Sequence, residues 1–447
     1  MFVSLKIENF RSIKDEIEFS FRASGGSNHL DDHVVDAGDH GGNVVRSIGL
    51  YGPNASGKSN ILKAFAALQH IIVATGSLKN GDEIICYEPF LLSNKTKNSP
   101  TKFTSEFLVN NIRYIYFVSY NKNEIIQETL DFYPSKVKSN VFTRLPGNNW
   151  DDIKFGGNYK GGAKKIPFFK NNSYLSKAGD NASSPQMVRD VFDYFSSVLL
   201  CLRTNISLRM GALANIRDRN AFTALMGRFL YLFDTGVTKV SAKERDISFI
   251  NLPSDLPEEI KQGIISENSF SFYFNHSSEE GDEIEFAKED ESEGTKKLFD
   301  LGPAIASAFI SKRTVIIDEL EHSLHPHLAV ILLRLFNDSE VNIHGSQLIF
   351  STHSVELMKP ERMRRDQIWF SEKKMGVTSA FSLDDFDKEK VKPSTPFNKW
   401  YDDGRFGGVP QISYVDIKNH FMNISGNKNN NSDKDVFGTL DDIPSMD

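Results

Sequence analysis

Apolar and polar positions alternate along the opening of the chain. Val3, Leu5 and Ile7 are separated by polar residues, as are Ile17, Phe19 and Phe21. Period two of this kind predicts two strands within residues 1–22, joined by a turn. Residues 23–45 are rich in Gly, Asp, His and Ser and predict a loop. Residues 46–51 form a short apolar run and predict a buried strand. A helix is expected over 59–75, with Ile61, Leu62, Phe65 and Leu68 on one face. From about 86 to 133 the alternation returns through Phe103, Phe107 and Val109, then over 112–120 and 125–132, and predicts an antiparallel meander. Residues 134–185 are polar and read as loop, including Lys160-Gly161-Gly162-Ala163-Lys164-Lys165. Helical spacing of Val188, Val191, Phe192, Phe195 and Leu199 opens a helical stretch over 186–234. Residues 235–275 mix short strands with a helix around 256–265, and apolar strands reappear at 314–317 and 347–350. After about 425 the chain is rich in Asn, Lys and Asp and predicts disorder.

Composition narrows the class. The chain has 447 residues, 39% of them hydrophobic, enough for a sizeable core divided among two or three sub-domains. Its net charge of -7 argues against a surface that is basic throughout, so nucleic acid would need a local basic patch. Two cysteines, Cys86 and Cys201, rule out a disulfide scaffold and suit a reducing compartment. No apolar run approaches the roughly 18–20 residues that span a bilayer. The first residues alternate like a strand and lack a signal-peptide pattern. A cytoplasmic protein without a membrane partner is expected.

The chemistry begins at Gly52-Pro53-Asn54-Ala55-Ser56-Gly57-Lys58-Ser59, which fits G-x-x-x-x-G-K-S between a predicted strand and a predicted helix. Glycines let the backbone curl until successive N–H groups point at one phosphate, and the helix N-terminus adds partial positive charge. Lys58 is placed to reach the β- and γ-phosphates of a nucleotide, and the Ser59 hydroxyl to ligate Mg²⁺. Downstream, the β-branched run Val315-Ile316-Ile317 ends in Asp318-Glu319. Two acids at a strand end are common in isolation. With a phosphate loop upstream, Asp318 becomes a candidate to hold the metal and Glu319 a candidate general base for water. A further apolar strand, Leu348-Ile349-Phe350, runs into Ser351-Thr352-His353, which makes His353 a candidate γ-phosphate contact. Ser292-Glu293-Gly294 stands at the start of a predicted helix. By itself it reads as a plain helix cap.

In this order the motifs resemble the ATP-binding-cassette ATPases, and within them the SMC-like heads and the AAA-family ATPases of bacterial phage-defence operons. Ile7-Glu8-Asn9-Phe10-Arg11-Ser12-Ile13 is similar to the first strand of those heads, and residues 52–60, through Asn60, to their Walker A. Asp318 to Pro326 is similar to Walker B with a D-loop (Ser323, Leu324, His325), and Ser351-Thr352-His353-Ser354 to the H-loop. The likeness spans about residues 1–360. A shorter one, Trp400-Tyr401-Asp402-Asp403-Gly404-Arg405-Phe406-Gly407-Gly408-Val409-Pro410, resembles a C-terminal segment of RloA-like proteins, abortive-infection ATPases and the ATPase of the PARIS system. The usual Q-loop glutamine has no evident counterpart: Gln127 follows a predicted strand, and the Pro89-Phe90 region is the alternative for that place.

The resemblance implies an α/β fold: an ABC-type ATPase head with a P-loop mixed sheet, an antiparallel β-subdomain and a compact helical insertion. The expected division is an ATPase lobe over 1–145, a mostly helical insertion over 146–275, a second lobe over 276–425 and a disordered tail over 426–447. It further implies ATP and Mg²⁺ as cofactors, bound by Arg11, Ser12, Asn54, Ala55, Ser56, Gly57, Lys58, Ser59 and Asn60, with Ser59 and Asp318 on the metal and slow, regulatory hydrolysis through Glu319 and His353. Two copies would pair as a homodimer, or assemble further, with ATP at the interface. Ser292, Glu293 and Gly294 of one subunit would then close over the γ-phosphate held by Lys58 of the other. No nuclease domain is evident in the chain. The leading expectation is therefore a sensor or scaffold that controls a separately encoded effector, a nuclease first among candidates, in phage defence. A repair or recombination ATPase acting directly on DNA is the rival, and a transporter ATPase a weaker third.

Three other clusters read as structural. Glu321-His322-Ser323-Leu324-His325-Pro326-His327 lacks the order of a helical zinc site, and Pro326 would interrupt such a helix. Asp384-Asp385-Phe386-Asp387 reads as a loop, and 279–291 as a solvated acidic hairpin. Arg362, Arg364 and Arg365 read either as an exposed helix end or as a contact for nucleic acid or an acidic partner.

Overall fold

The computed structural model describes residues 1–25, 30–202, 219–245, 270–410 and 412–426. Met1–Gly408 form one compact unit. The chain from Val409 on forms a second, in which the described residues include a helix, Tyr414–Gly426.

Two sheets carry the first unit. One is antiparallel and seven-stranded, in the order β10-β9-β8-β7-β6-β1-β2. It takes β1 (Phe2–Glu8), β2 (Ile17–Ser20), β6 (Thr101–Val109), β7 (Ile112–Tyr120), β8 (Ile125–Tyr133), β9 (Ser139–Arg144) and β10 (Lys154–Phe155). Its strands bury alternate residues, as expected when one face meets the core and the other meets solvent. A small ribbon, β3 (Val34–Asp36) with β4 (Asn43–Val45), lies in the stretch read as loop.

The second sheet has the order β11-β15-β16-β5-β17-β18. Its strands are β5 (Ser47–Tyr51), β11 (Leu199–Leu202), β15 (Thr314–Ile317), β16 (Gln347–Ser351), β17 (Ile368–Lys374) and β18 (Val377–Ser382). Every pairing is parallel except the β17–β18 hairpin. All residues of β5, β15 and β16 are buried, which explains their unbroken apolar runs. A third sheet joins β12 (Lys239–Glu244), β13 (Phe270–Ser277) and β14 (Glu283–Ala287) in antiparallel order.

The helices, in chain order, are α1 (Gly38–Gly41), α2 (Lys58–Val73), α3 (Tyr174–Gly179), α4 (Gln186–Asp193), α5 (Arg219–Leu232), α6 (Glu293–Ser311), α7 (Pro326–Asn337) and α8 (Phe397–Asp402). Helix α2 joins the two large sheets. It follows β5 directly, and its Phe65 ring meets Phe2 of β1 at 5.3 Å and Phe19 of β2 at 6.0 Å. The fold is thus α/β, with a mixed sheet carrying the phosphate loop and an antiparallel sheet beside it.

Several expectations change. Leu199, read as helical, begins β11, which pairs with β15. A short apolar run suits a buried strand as well as a helix, and only the partner decides. The segment 146–275 therefore supplies an edge of the phosphate-loop sheet besides helices. The stretch 134–185 is not all loop, since it holds β9, β10 and α3. The acidic stretch 279–291 keeps its reading as a solvated hairpin, holding the turn between β13 and the exposed β14, while the predicted helix around 256–265 lies outside the described residues, as does the tail from 427.

Helix α3 is anchored by a buried carboxylate. Glu128 of β8 is fully buried and accepts from Tyr174 N (2.6 Å), Leu175 N (2.9 Å) and the Tyr116 hydroxyl (2.9 Å). Burial raises its pKa above the ordinary 4.5, against the opposing pull of those donors and of Arg144. The folded protein then holds this proton more tightly than the unfolded chain. The contribution to stability is full below pH 4.5 and is lost as pH rises through the raised folded value. Urea melts across a pH series should show the wild type losing stability relative to Glu128→Gln over that window; parallel curves would refute the assignment.

Candidate active site

The parallel register brings the C-terminal ends of three strands side by side. Ile317 of β15 pairs with Phe350 of β16, and Ser351 pairs with Leu50 of β5. Asp318, Ser351 and the phosphate loop therefore emerge at one edge, where open parallel sheets bind ligands. A cavity there is lined by Asn54, Ala55, Ser56, Gly57, Lys58, Ser59, Asn60, Asp318, Glu319, His353 and Lys373. A larger cleft of about 610 Å³ is lined by His33, Arg334 and Asn337 among others. Asn337 bonds Ser47 at the opposite end of β5 (2.8 Å), so that cleft is remote from these groups.

The loop carries the backbone features of an anion cradle. Ala55 and Gly57 have positive φ, 62° and 111°. Asn60 and Ile61 are the first amides of α2 to bond back, both to Gly57 O (2.9 and 3.1 Å). The N–H groups of Lys58 and Ser59 precede them and have no intrahelical acceptor. Lys58 is buried, and its Nζ donates to Gly52 O (2.8 Å) and Pro53 O (3.0 Å). Burial lowers its pKa, while Asp318, Glu319 and Glu321 act to raise it. Free amides, a buried ammonium, a hydroxyl and two carboxylates make a donor set that fits a metal-bound polyphosphate.

Neighbouring side chains hold the loop in shape. Thr378 Oγ1 donates to Ser56 O (2.9 Å), and the Ser56 and Ser371 hydroxyls meet at 2.6 Å. A Cβ on Gly57 would stand 2.2 Å from Thr378 Oγ1. Arg11 and Ser12 lie beside the loop without lining the cavity. Arg11 forms a two-pronged pair with Glu88 (2.8 and 2.5 Å) and reaches Asn60 Oδ1 at 3.3 Å, while Ser12 Oγ accepts from Asn60 Nδ2 (2.6 Å).

On the acidic side, one hydroxyl serves both carboxylate residues. Ser351 Oγ donates to Asp318 Oδ1 and accepts from Glu319 N (2.7 Å). Glu319 has a positive φ of 54°, a costly conformation for a residue with a side chain. Glu321 fixes the next loop: Thr352 Oγ1 donates to Oε2 and His353 N donates to Oε1, each at 2.6 Å. Burial and Lys58 lower the His353 pKa, the three acids opposing, so its imidazole is neutral near pH 7.

The trans candidates stand apart from this cavity. Ser292 caps α6 by accepting from Thr295 N (3.1 Å), and Ser292 and Glu293 are exposed. A Cβ on Gly294 would lie 3.0 Å from Ser323 O, so this turn packs against the D-loop candidates of its own chain. Leu324 is buried, and His325 caps α7 by accepting from His327 N (3.2 Å).

Some readings are corrected. Gln127 lies within β8, paired with Ser119, and neither it nor Pro89 or Phe90 lines the cavity. Arg364 and Arg365 are buried. Arg364 pairs with Asp366 (2.8 Å), Arg365 donates to the carbonyls of Val391, Leu383 and Phe386, and Arg362 bonds Glu356 (2.5 Å). They brace the fold and offer no basic patch. Sequence reasoning missed Ser351 as a bridging hydroxyl, Glu321 as an anchor, and Lys373. Ser351 had a signal, its place at a strand end beside the loop strand; Lys373 had none short of the register of β17.

Residues 47–359 match the family described as "AAA domain, putative AbiEii toxin, Type IV TA system", and the chain belongs to that family. Among solved structures, an SMC head bound to the C-terminal winged-helix domain of ScpA is 13% identical, with a TM-score of 0.40 over 85% of this chain and 97% of that one. The SMC head domain from Thermotoga maritima is 13% identical (TM-score 0.38, 85% and 98%). The recombination mediator RecF is 12% identical (TM-score 0.38, 85% and 98%). No curated protein matches the chain.

A Gly57→Ala variant should lose about 2 kcal/mol or more from the positive φ and the clash with Thr378. Adding Thr378→Ala removes the two nearest atoms and should restore part of that loss. Thermal melts of the single and double variants test this, and an unchanged melting point for Gly57→Ala would contradict the packing described.

Proposed function

We propose that this protein binds and slowly hydrolyses Mg-ATP, and that ATP pairs two copies into a signalling assembly. The observation that carries the reading is the convergence of the phosphate loop, Lys58, Ser59, Asp318, Glu319 and His353 on one cavity. Free amides of the loop and Lys58 would take the phosphates. Ser59 and Asp318 would hold Mg²⁺, which would neutralise charge on the phosphates. Glu319, half-exposed at the mouth, would accept the proton of the attacking water. His353 would donate to a γ-phosphate oxygen, and Asn60, on the first turn of α2, would support the nucleotide together with Arg11 and Ser12, which bond its side chain.

Exposed Ser292 and Glu293 stand outside the cavity of their own chain, which supports a role on a partner's nucleotide. Head-to-tail pairing would bring them, with Gly294 and the segment Ser323-Leu324-His325, over the γ-phosphate. The family's description points to abortive infection and toxin–antitoxin systems. On that ground the assembled form would control a separately encoded effector, a nuclease in the first instance, in phage defence.

Lys58→Ala should abolish nucleotide binding in a titration with a fluorescent ATP analogue. Glu319→Gln should accumulate a nucleotide-bound dimer by size-exclusion chromatography with light scattering. Turnover by Glu319→Gln at the wild-type rate would remove Glu319 from its role. For the output, the tagged protein would be captured from its native operon with ATP and Mg²⁺ and its partners identified by mass spectrometry. A neighbouring effector supports the proposal, whereas a homo-oligomer that retains DNA favours direct action on DNA.

A further inference from the structure

The β17–β18 hairpin presents two faces, and period two assigns its residues to them. From β17, Ser371 meets the Ser56 hydroxyl and Phe370 stacks on Tyr401 at 5.5 Å, on the other side. Glu372 shares the Phe370 face, where its Oε1 accepts from Gly408 N (2.8 Å). Lys373 is two residues beyond Ser371 and returns to the loop face. It stands directly opposite Thr378 of β18, whose side chain bonds Ser56 O. Cross-strand partners share a face, so Ser371, Thr378 and Lys373 all address the phosphate loop.

The first two are occupied with Ser56, Ser371 with its hydroxyl and Thr378 with its carbonyl. Lys373 differs. It is exposed, it lines the cavity beside Asn54–Asn60, Asp318, Glu319 and His353, and it makes no ion pair with any described residue. A polyphosphate bound there would give this exposed cation a partner. The fold also holds its base firmly, through the loop on one face and residues 397–408 on the other.

We infer that Lys373 is a second phosphate-contacting cation of this site, supplied by the hairpin of the same chain and selective for nucleotides with more phosphates. The inference rests on the nucleotide reading above and adds a residue to it. Lys373 acts from the mouth, where water and salt screen it, while Lys58 acts from the buried floor. Its contribution should therefore be salt-sensitive and should grow from AMP to ADP to ATP.

The test is equilibrium binding of fluorescent ATP, ADP and AMP analogues with Mg²⁺ to the full chain, at low and high salt. Lys373→Ala should weaken ATP binding about tenfold at low salt, with a smaller loss at high salt and little change for AMP. Lys373→Arg should restore most of the affinity, which a purely structural role would not predict. Lys374→Ala is the control, because Lys374 lies on the opposite face and pairs with Glu372 (3.3 Å). If wild type binds ATP and Lys373→Ala matches it at low salt, the inference falls and the nucleotide site stands. If wild type and Lys58→Ala are equally unable to bind any of the three, the nucleotide reading falls and Lys373 falls with it.

Discussion

A loop whose amides must stay free for a ligand has no internal ladder to hold its shape, and the rest of this molecule is arranged around that constraint. The curl at residues 52–59 leaves backbone donors unpaired, so its geometry is imposed from outside. Ser371 and Thr378 reach it from a hairpin more than three hundred residues away in sequence, and the Ser12 carbonyl accepts from Thr378 N at 2.7 Å. Glycine is required at 57 twice over, by a φ of 111° and by the closeness of Thr378. The hairpin is in turn backed by Tyr401 and Phe406, whose rings stack on its Phe370 at 5.5 and 5.7 Å. An aromatic cluster near residue 400 thus stabilises the position of a backbone near residue 57.

The acidic half follows from strand register. Parallel pairing of β15, β16 and β5 aligns three strand ends, and the residue leaving each is polar: Asp318, Ser351 and, after Tyr51, the loop itself. Ser351 sits between the other two and is fully buried, so its single hydroxyl has to orient both the Asp318 carboxylate and the Glu319 amide. That bridge, with the bonds Leu320 N to Ser351 O (3.0 Å) and His322 N to Glu319 O (2.9 Å), holds Glu319 at its positive φ.

Much of this was legible in the sequence, for identifiable reasons. The loop and the strands ending at 317 and 351 are local signals: continuous apolar runs beside residues of special chemistry. The meander was readable because each strand buries alternate residues. The helix assigned through Leu199 misread a short apolar run whose partner, β15, lies more than a hundred residues on. Arg364 and Arg365 looked like surface charge because a sequence does not show carbonyls arriving from residues 383–391 to satisfy guanidinium groups. The clamp on the loop was invisible on the same account: Ser371 and Thr378 are ordinary strand residues until the hairpin is laid against β5.

Glu321 ties together two segments that ligands would otherwise address separately. Its carboxylate grips Thr352 and the His353 amide, while its backbone lies two residues before Ser323. The turn that faces outward and the loop that faces the cavity are therefore one lever with a short arm. A single carboxylate thus joins the main chain at 352–353, on the cavity side, to the segment that leads into Ser323.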